Sequence, residues 1–176
     1  MPMKCDTVKS RTLIIREATP SDEPFLWEML YHSLYVPDGF PPFDRTIVGR
    51  PEIAMYVEGW GRPGDLGLIA VDSRSDEAVG AVWMRIFTTS EKGYGYVGDH
   101  IPELGIAVLP GHRGSGIGSA LLDRLVEMAS SRYEAVSLSV SNDNPALRLY
   151  ERVGFERVGT SGNSVTMVKR LKASTA

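Results

Sequence analysis

The chain has 176 residues, a formal net charge of -3, and 43% hydrophobic and 23% charged residues, which fits one folded soluble domain over 1–176. Its positive charges are scattered, which excludes the footprint of a nucleic-acid binder, and no apolar run approaches the roughly 18 residues of a membrane span. A single cysteine, Cys5, excludes an internal disulfide and fits a reducing compartment, and Met1 to Ser10 has no apolar signal core; the expectation is a cytoplasmic protein with 1–10 flexible and 171–176 as a tail.

Arg11 to Arg16 is short, β-branched and apolar, and reads as a first strand. Thr19-Pro20-Ser21-Asp22-Glu23 carries cap-type residues and an acidic first turn, and Phe25, Leu26, Met29, Leu30 and Leu34 follow at helical spacing. Tyr35 to Phe43 is too proline-rich for a helix interior or a central strand. Pro51 to Trp60 reads as a second short helix. Leu66 to Asp72 and Ala78 to Phe87 form a hairpin across the polar connection Ser73 to Glu77. Thr88 to His100, rich in glycine and tyrosine, reads as a loop, and Glu103 to Leu109 as another strand. Gly116 to Ser130 is the clearest helix, with Ile117, Leu121, Leu125 and Met128 on one stripe. Glu134 to Val140 alternates as a strand does. Asn144 as cap, Pro145 at the first helical position and Gly154 after the last turn bracket a short helix. Phe155 to Val158 and Ser164 to Val168 close the chain as strands. This order predicts an α+β layered fold: a mixed sheet with helices on both faces. No internal repeat or linker interrupts it.

The informative stretch runs from Glu103 through Gly118. A strand enters a glycine-rich turn, and the turn opens a strongly amphipathic helix. Backbone N–H groups at a helix start are unpaired and carry partial positive charge, so they bind anions. Glycines at 114, 116 and 118 let a diphosphate approach the backbone, and Arg113 adds charge-assisted bonds. A tight strand-to-helix turn with glycines for geometry alone is the alternative. A P-loop needs a lysine after the glycines, and none follows. The dinucleotide fingerprint would put a third glycine where Ser119 stands, and an acidic residue at the end of the next strand, whereas Glu134 begins it.

Arg113-x-x-Gly116-x-Gly118 after an apolar strand resembles the acyl-CoA-binding motif of the GNAT N-acetyltransferase superfamily. A second signature follows in Asn144-Pro145-Ala146-Leu147-Arg148-Leu149-Tyr150-Glu151-Arg152-Val153-Gly154-Phe155, whose Ala-x-x-Leu-Tyr-x-x-x-Gly-Phe core is similar to one in the same superfamily. The motifs span about a quarter of the chain, and the element order matches over nearly all of it. The resemblance implies a GNAT-like, mostly antiparallel central sheet. It also implies acetyl-CoA as cosubstrate without a metal, and direct transfer of its acetyl group to a primary amine in a ternary complex.

Carried onto matching positions, the resemblance assigns the diphosphate to Arg113, Gly114, Ser115, Gly116, Ile117, Gly118 and Ser119. It assigns the pantetheine arm to strand backbone at Ile106, Ala107 and Val108, where the family's strand splays from its neighbour; Gly105 and Pro110 are consistent with such a break. The Val108 N–H becomes the candidate oxyanion donor. Tyr150 stands where the family keeps the general acid for the departing thiolate, although it also belongs to the apolar stripe Ala146-Tyr150-Val153. Asn144 serves as helix cap, pantetheine contact, or both; the family spaces this asparagine one residue further from the tyrosine. Glu103, where many relatives carry an acid, is the candidate base, with capping of a sheet edge as its alternative and Asp99 and His100 as fallbacks.

His32 and His112 read as structural or solvent-facing, and the three histidines and one cysteine lack metal-ligand spacing. The acceptor pocket is expected from Tyr35 to Phe43 and Thr88 to His100, with Trp60 and Trp83 read as core. A small-molecule amine, a protein N-terminus or a lysine all fit as acceptor, and a monomer or homodimer as assembly. Two readings stand against transfer: a catalytically silent acyl-CoA-binding sensor module, and a dinucleotide-binding domain.

Overall fold

The structure, a computed structural model, describes residues 12–171. Cys5, the expected flexible segment 1–10 and the tail beyond Leu171 lie outside the described residues. The elements are β1 (Leu13–Glu17), α1 (Glu23–Ser33), α2 (Pro51–Ala54), β2 (Leu66–Asp72), β3 (Glu77–Arg85), β4 (Glu103–Val108), α3 (Ile117–Ala129), β5 (Ala135–Ser141), α4 (Ala146–Val153), β6 (Glu156–Ser161) and β7 (Ser164–Arg170). The strands form one seven-stranded sheet in the order β1-β2-β3-β4-β5-β7-β6. Every neighbouring pair is antiparallel except β4 and β5. The expected mixed, mostly antiparallel sheet is observed.

The period-2 alternation of strands sorts side chains onto two faces. Leu68, Ala70, Val82, Met84, Leu104, Val136 and Leu138 pack with Leu121, Leu122 and Leu125 of α3 and with Leu147 and Tyr150 of α4. Ile69, Val71, Ala81, Trp83 and Ala107 pack on the other face with Leu26, Met29 and Leu30 of α1 and Ile53 of α2. Strands covered on both sides read as continuous apolar runs, which is why β2 and β3 were legible. Each fully buried leucine or methionine contributes about 1.5–3 kcal/mol.

One helix is shorter than its sequence suggested: α2 ends at Ala54 rather than reaching Trp60. The buried Arg85 explains the difference. Its Nη1 donates to the carbonyl of Met55 (2.9 Å), which a helix reaching Trp60 would bond to the Gly59 amide, and to that of Glu58 (2.8 Å), and Gly59 then turns at φ +67°. Asp65 neutralises this arginine through Nε (3.0 Å) and Nη2 (2.9 Å). Such bidentate pairing is what makes a buried guanidinium tolerable.

The sheet divides where β4 leaves β5. The two strands pair at one position, Glu103 beside Ser137, with the Ser137 N–H donating to the Pro102 carbonyl (2.9 Å), and then diverge. On its other edge β4 pairs with β3 along its whole length, from Arg85↔Glu103 to Gly80↔Val108. Gly105 therefore does not break the strand. It lies opposite Trp83, and a Cβ there would meet the indole at 2.8 Å, so the glycine makes room for the ring. The break lies on the β5 side. Leu109 N–H bonds Val79 O across β3 (2.9 Å), and antiparallel ladders alternate, so Ile106 and Val108 turn their N–H and C=O groups toward the gap.

Candidate active site

The gap between β4 and β5 opens onto the N-terminus of α3. Gly114 and Gly116 take left-handed backbone at φ +76° and +84°, where other residues are strained, and a Cβ on either would meet nothing within 4 Å. Gly116 is the N-cap and offers no side chain to the helix. The first helical bond runs from Ala120 N–H to the Gly116 carbonyl (3.1 Å). The amides from Arg113 to Ser119 thus have no partner among the described residues, and the helix dipole adds partial positive charge at the same point. Arg113 gives Nε to the Val108 carbonyl (3.1 Å) and Nη2 to the His32 carbonyl (3.4 Å), which ties the turn to β4 and α1.

A cleft of about 1020 Å³ begins at this turn. Of the residues given cofactor roles, Ile106, Ala107, Val108, Arg113, Gly114, Gly116, Ile117, Gly118, Ser119 and Asn144 line it. Ser115 does not; its hydroxyl turns back to donate to the His112 carbonyl (2.6 Å), and it offers the cleft a backbone amide only. The helix α4 starts at Ala146 with Pro145 as its N-cap, one residue later than expected; Asn144, just before that cap, still accepts the Ala146 N–H on Oδ1 (2.9 Å), while its amide NH2 makes no hydrogen bond among the described residues.

A second chamber of about 390 Å³ is walled by β4 and β5 together, and Tyr150, Ile106 and Asn144 line both spaces. Tyr150 is 8% exposed, with its ring edge-on to Phe155 at 6.0 Å between centroids. Its hydroxyl makes no hydrogen bond among the described residues, and burial pushes its pKa up to about 12. Packing and proton donation are therefore compatible at this one residue: the ring belongs to the core, the hydroxyl keeps its proton, and the residue lines both spaces.

Glu103 lies in the wall of the second chamber, 3% exposed. Burial pushes its carboxyl up to about 7, against the hydrogen bonds from Tyr56 and the Gly95 amide that pull it down. It is no edge cap, because it sits mid-sheet between Arg85 and Ser137. Asp99 and His100 line neither space, and Asp99 is held below the usual carboxylate range by Tyr96. His32 faces Glu28 at 3.0 Å. Tyr35, Phe43, Tyr94 and Trp83 contribute aromatic walls to the chamber, while Trp60 stays in the core against Arg85. Sequence reasoning missed Tyr56, which fell inside the expected helix Pro51 to Trp60, and Gly93 and Gly95, which carried no signal beyond a loop rich in glycine and tyrosine.

The splayed sheet thus places an uncapped, glycine-lined helix start beside one cleft and the buried Glu103 in the wall of the other. The model of the acetyltransferase (GNAT) family matches residues 25–155, and the chain belongs to that family. Among similar proteins is the L-amino acid N-acetyltransferase of Escherichia coli, 36% identical over 64 residues, which cover 35% of this chain and 40% of that protein. Another is the mycothiol acetyltransferase of Kineococcus radiotolerans, 33% identical over 110 residues, 61% of this chain and 31% of that protein. The chain thus spans less than half the length of these relatives. Among solved structures, a phosphinothricin acetyltransferase from Sinorhizobium meliloti in complex with AcCoA has the same fold. Its TM-score is 0.64 at 20% identity, covering 93% of this chain and 91% of that one.

Proposed function

We propose that the chain is an acetyl-CoA-dependent N-acetyltransferase that passes an acetyl group directly to a primary amine while both substrates are bound. The observation that carries the reading is the unpartnered amide run from Arg113 to Ser119, opening on a cleft that shares Tyr150 with the chamber walled by Glu103. Family membership supports the same reading, and so do relatives named for acetylating L-amino acids and phosphinothricin. A small amine, a protein N-terminus or a lysine fits the chemistry of the chamber.

Acetyl-CoA supplies the thioester. The amides from Arg113 to Ser119 and the Arg113 guanidinium hold its diphosphate, an arrangement that needs backbone donors and open space, both present here. The free edge of β4 at Ile106 pairs with the amides of the pantetheine arm, and the Val108 N–H, whose carbonyl is already held by Arg113, faces the acyl oxygen as charge builds there. Glu103 takes a proton from the acceptor ammonium through water, since its carboxylate is buried. With a pKa of about 7 it is half ionised at neutral pH. Tyr150 keeps its proton at that pH and delivers it to the departing sulfur.

Titration of the purified protein with acetyl-CoA, followed by thiol release over a panel of amines, tests the proposal. Binding with amine-dependent release is expected. Binding without release on any amine would leave a CoA-binding sensor, and preference for NAD over CoA would overturn both readings.

A further inference from the structure

Glu103 is held by donors from outside its own strand. Its Oε2 accepts from the Tyr56 hydroxyl and its Oε1 from the Gly95 N–H at 3.0 Å. The Tyr94 N–H in turn donates to the Tyr56 hydroxyl oxygen at 2.8 Å. An amide can only donate, so the phenol oxygen is the acceptor in that contact and its single proton is directed to Glu103. Burial and the adjacent carboxylate both raise the Tyr56 pKa, so this proton stays in place.

The segment that supplies the two amides is pressed onto this pair. A Cβ on Gly93 would collide with Glu103 Oε1 and stand 2.7 Å from the Tyr56 hydroxyl, and one on Gly95 would lie 2.7 Å from the Leu138 carbonyl carbon. Neither register neighbour of Glu103 donates to its carboxylate. Arg85, the register partner of Glu103 on β3, is committed to Asp65 and to the Met55 and Glu58 carbonyls. Ser137, its neighbour on β5, has a buried hydroxyl without a hydrogen bond. Tyr94, whose side chain is among the exposed ones, lines the same chamber between the two clamped glycines.

We infer that Tyr56 is a positioning residue for acetyl transfer, and that its hydroxyl fixes the Glu103 carboxylate in its base form while tying it to the segment from Gly93 to Gly95. The inference rests on the transfer reading above. Tyr56 shares the chamber wall with Glu103, and it acts through that carboxylate.

The test is a carbon-13 NMR titration of the Glu103 carboxyl in the free protein, assigned with Glu103→Gln. Tyr56→Phe keeps the ring against Phe87 and removes the donor. It is expected to move the titration midpoint up by about one pH unit, the size of a hydrogen bond to a charged group. Replacement of Tyr56 by 3-fluorotyrosine keeps the shape, strengthens the donor and is expected to move the midpoint down. This second arm stands even if Tyr56→Phe does not fold. The acid limb of kcat/KM should follow the midpoint in each variant, with KM for acetyl-CoA unchanged. Midpoints that stay put in folded variants would overturn the inference, as would midpoints that move while the acid limb does not. The titration uses neither acyl donor nor amine, so absence of amine-dependent thiol release would strike the transfer reading and leave the titration readable.

Discussion

Gly116→Asp separates the anion cradle from the fold that carries it. A side chain at Gly116 enters open space, with nothing within 4 Å of its Cβ, so no clash is introduced. The φ of +84° costs a non-glycine residue about 1 kcal/mol, which an aspartate at the N-cap of α3 recovers in part. The melting temperature should therefore move by only a few degrees. Binding is another matter. A carboxylate about 5 Å from one diphosphate charge, at an effective dielectric of about 20, repels it by about 3 kcal/mol. That is about two orders of magnitude in Kd for CoA. Gly116→Ala shares the backbone strain without the charge, and its Kd should weaken by less than about tenfold. Isothermal titration with CoA alongside thermal melts reads both quantities. An aspartate variant that is folded and keeps wild-type CoA affinity would refute the assignment of the diphosphate to this turn.

Tyr150→Phe should lower kcat by about 100-fold with little change in KM for acetyl-CoA; an unchanged rate would reduce the tyrosine to packing. Because the folded-state pKa of Glu103 is raised from 4.5 to about 7, kcat/KM should fall as pH drops below 7, and Glu103→Gln should lose that limb. The same shift has a stability sign. The folded chain retains a proton that the unfolded chain has released, so the contribution is full below pH 4.5 and lost as pH rises through 7. Urea melts of wild type against Glu103→Gln should register a loss of about 3 kcal/mol across that window. Asp65→Ala leaves the Arg85 guanidinium buried without its carboxylate and should cost about 3–5 kcal/mol in the same assay; a cost below 1 kcal/mol would refute the account of this pair.

Much of the fold was legible because its signals are local. The stripe Ile117-Leu121-Leu125 and the two-sided apolar runs of β2 and β3 state their burial directly in their periodicity. The glycines at 114 and 116 likewise announce a backbone that other residues rarely adopt. What escaped depends on contacts distant in the chain. The early end of α2 is imposed by Arg85, a residue on another strand taking the carbonyls of Met55 and Glu58. Gly105 reads as a strand breaker until Trp83 is seen lying across it. Tyr56 looks like one more apolar helix position, because its partner Glu103 is far along the chain and its second partner belongs to a loop without periodicity. The candidate base was found by family position alone, and its burial had no sequence signal.

Amide NMR of the protein during addition of acetyl-CoA tests the central claim most directly. Saturating shifts concentrated at Gly114 to Ser119 and at Ile106 and Val108 are the expected result. Saturable binding that leaves those amides unmoved, or no binding at all by a folded sample, would contradict it.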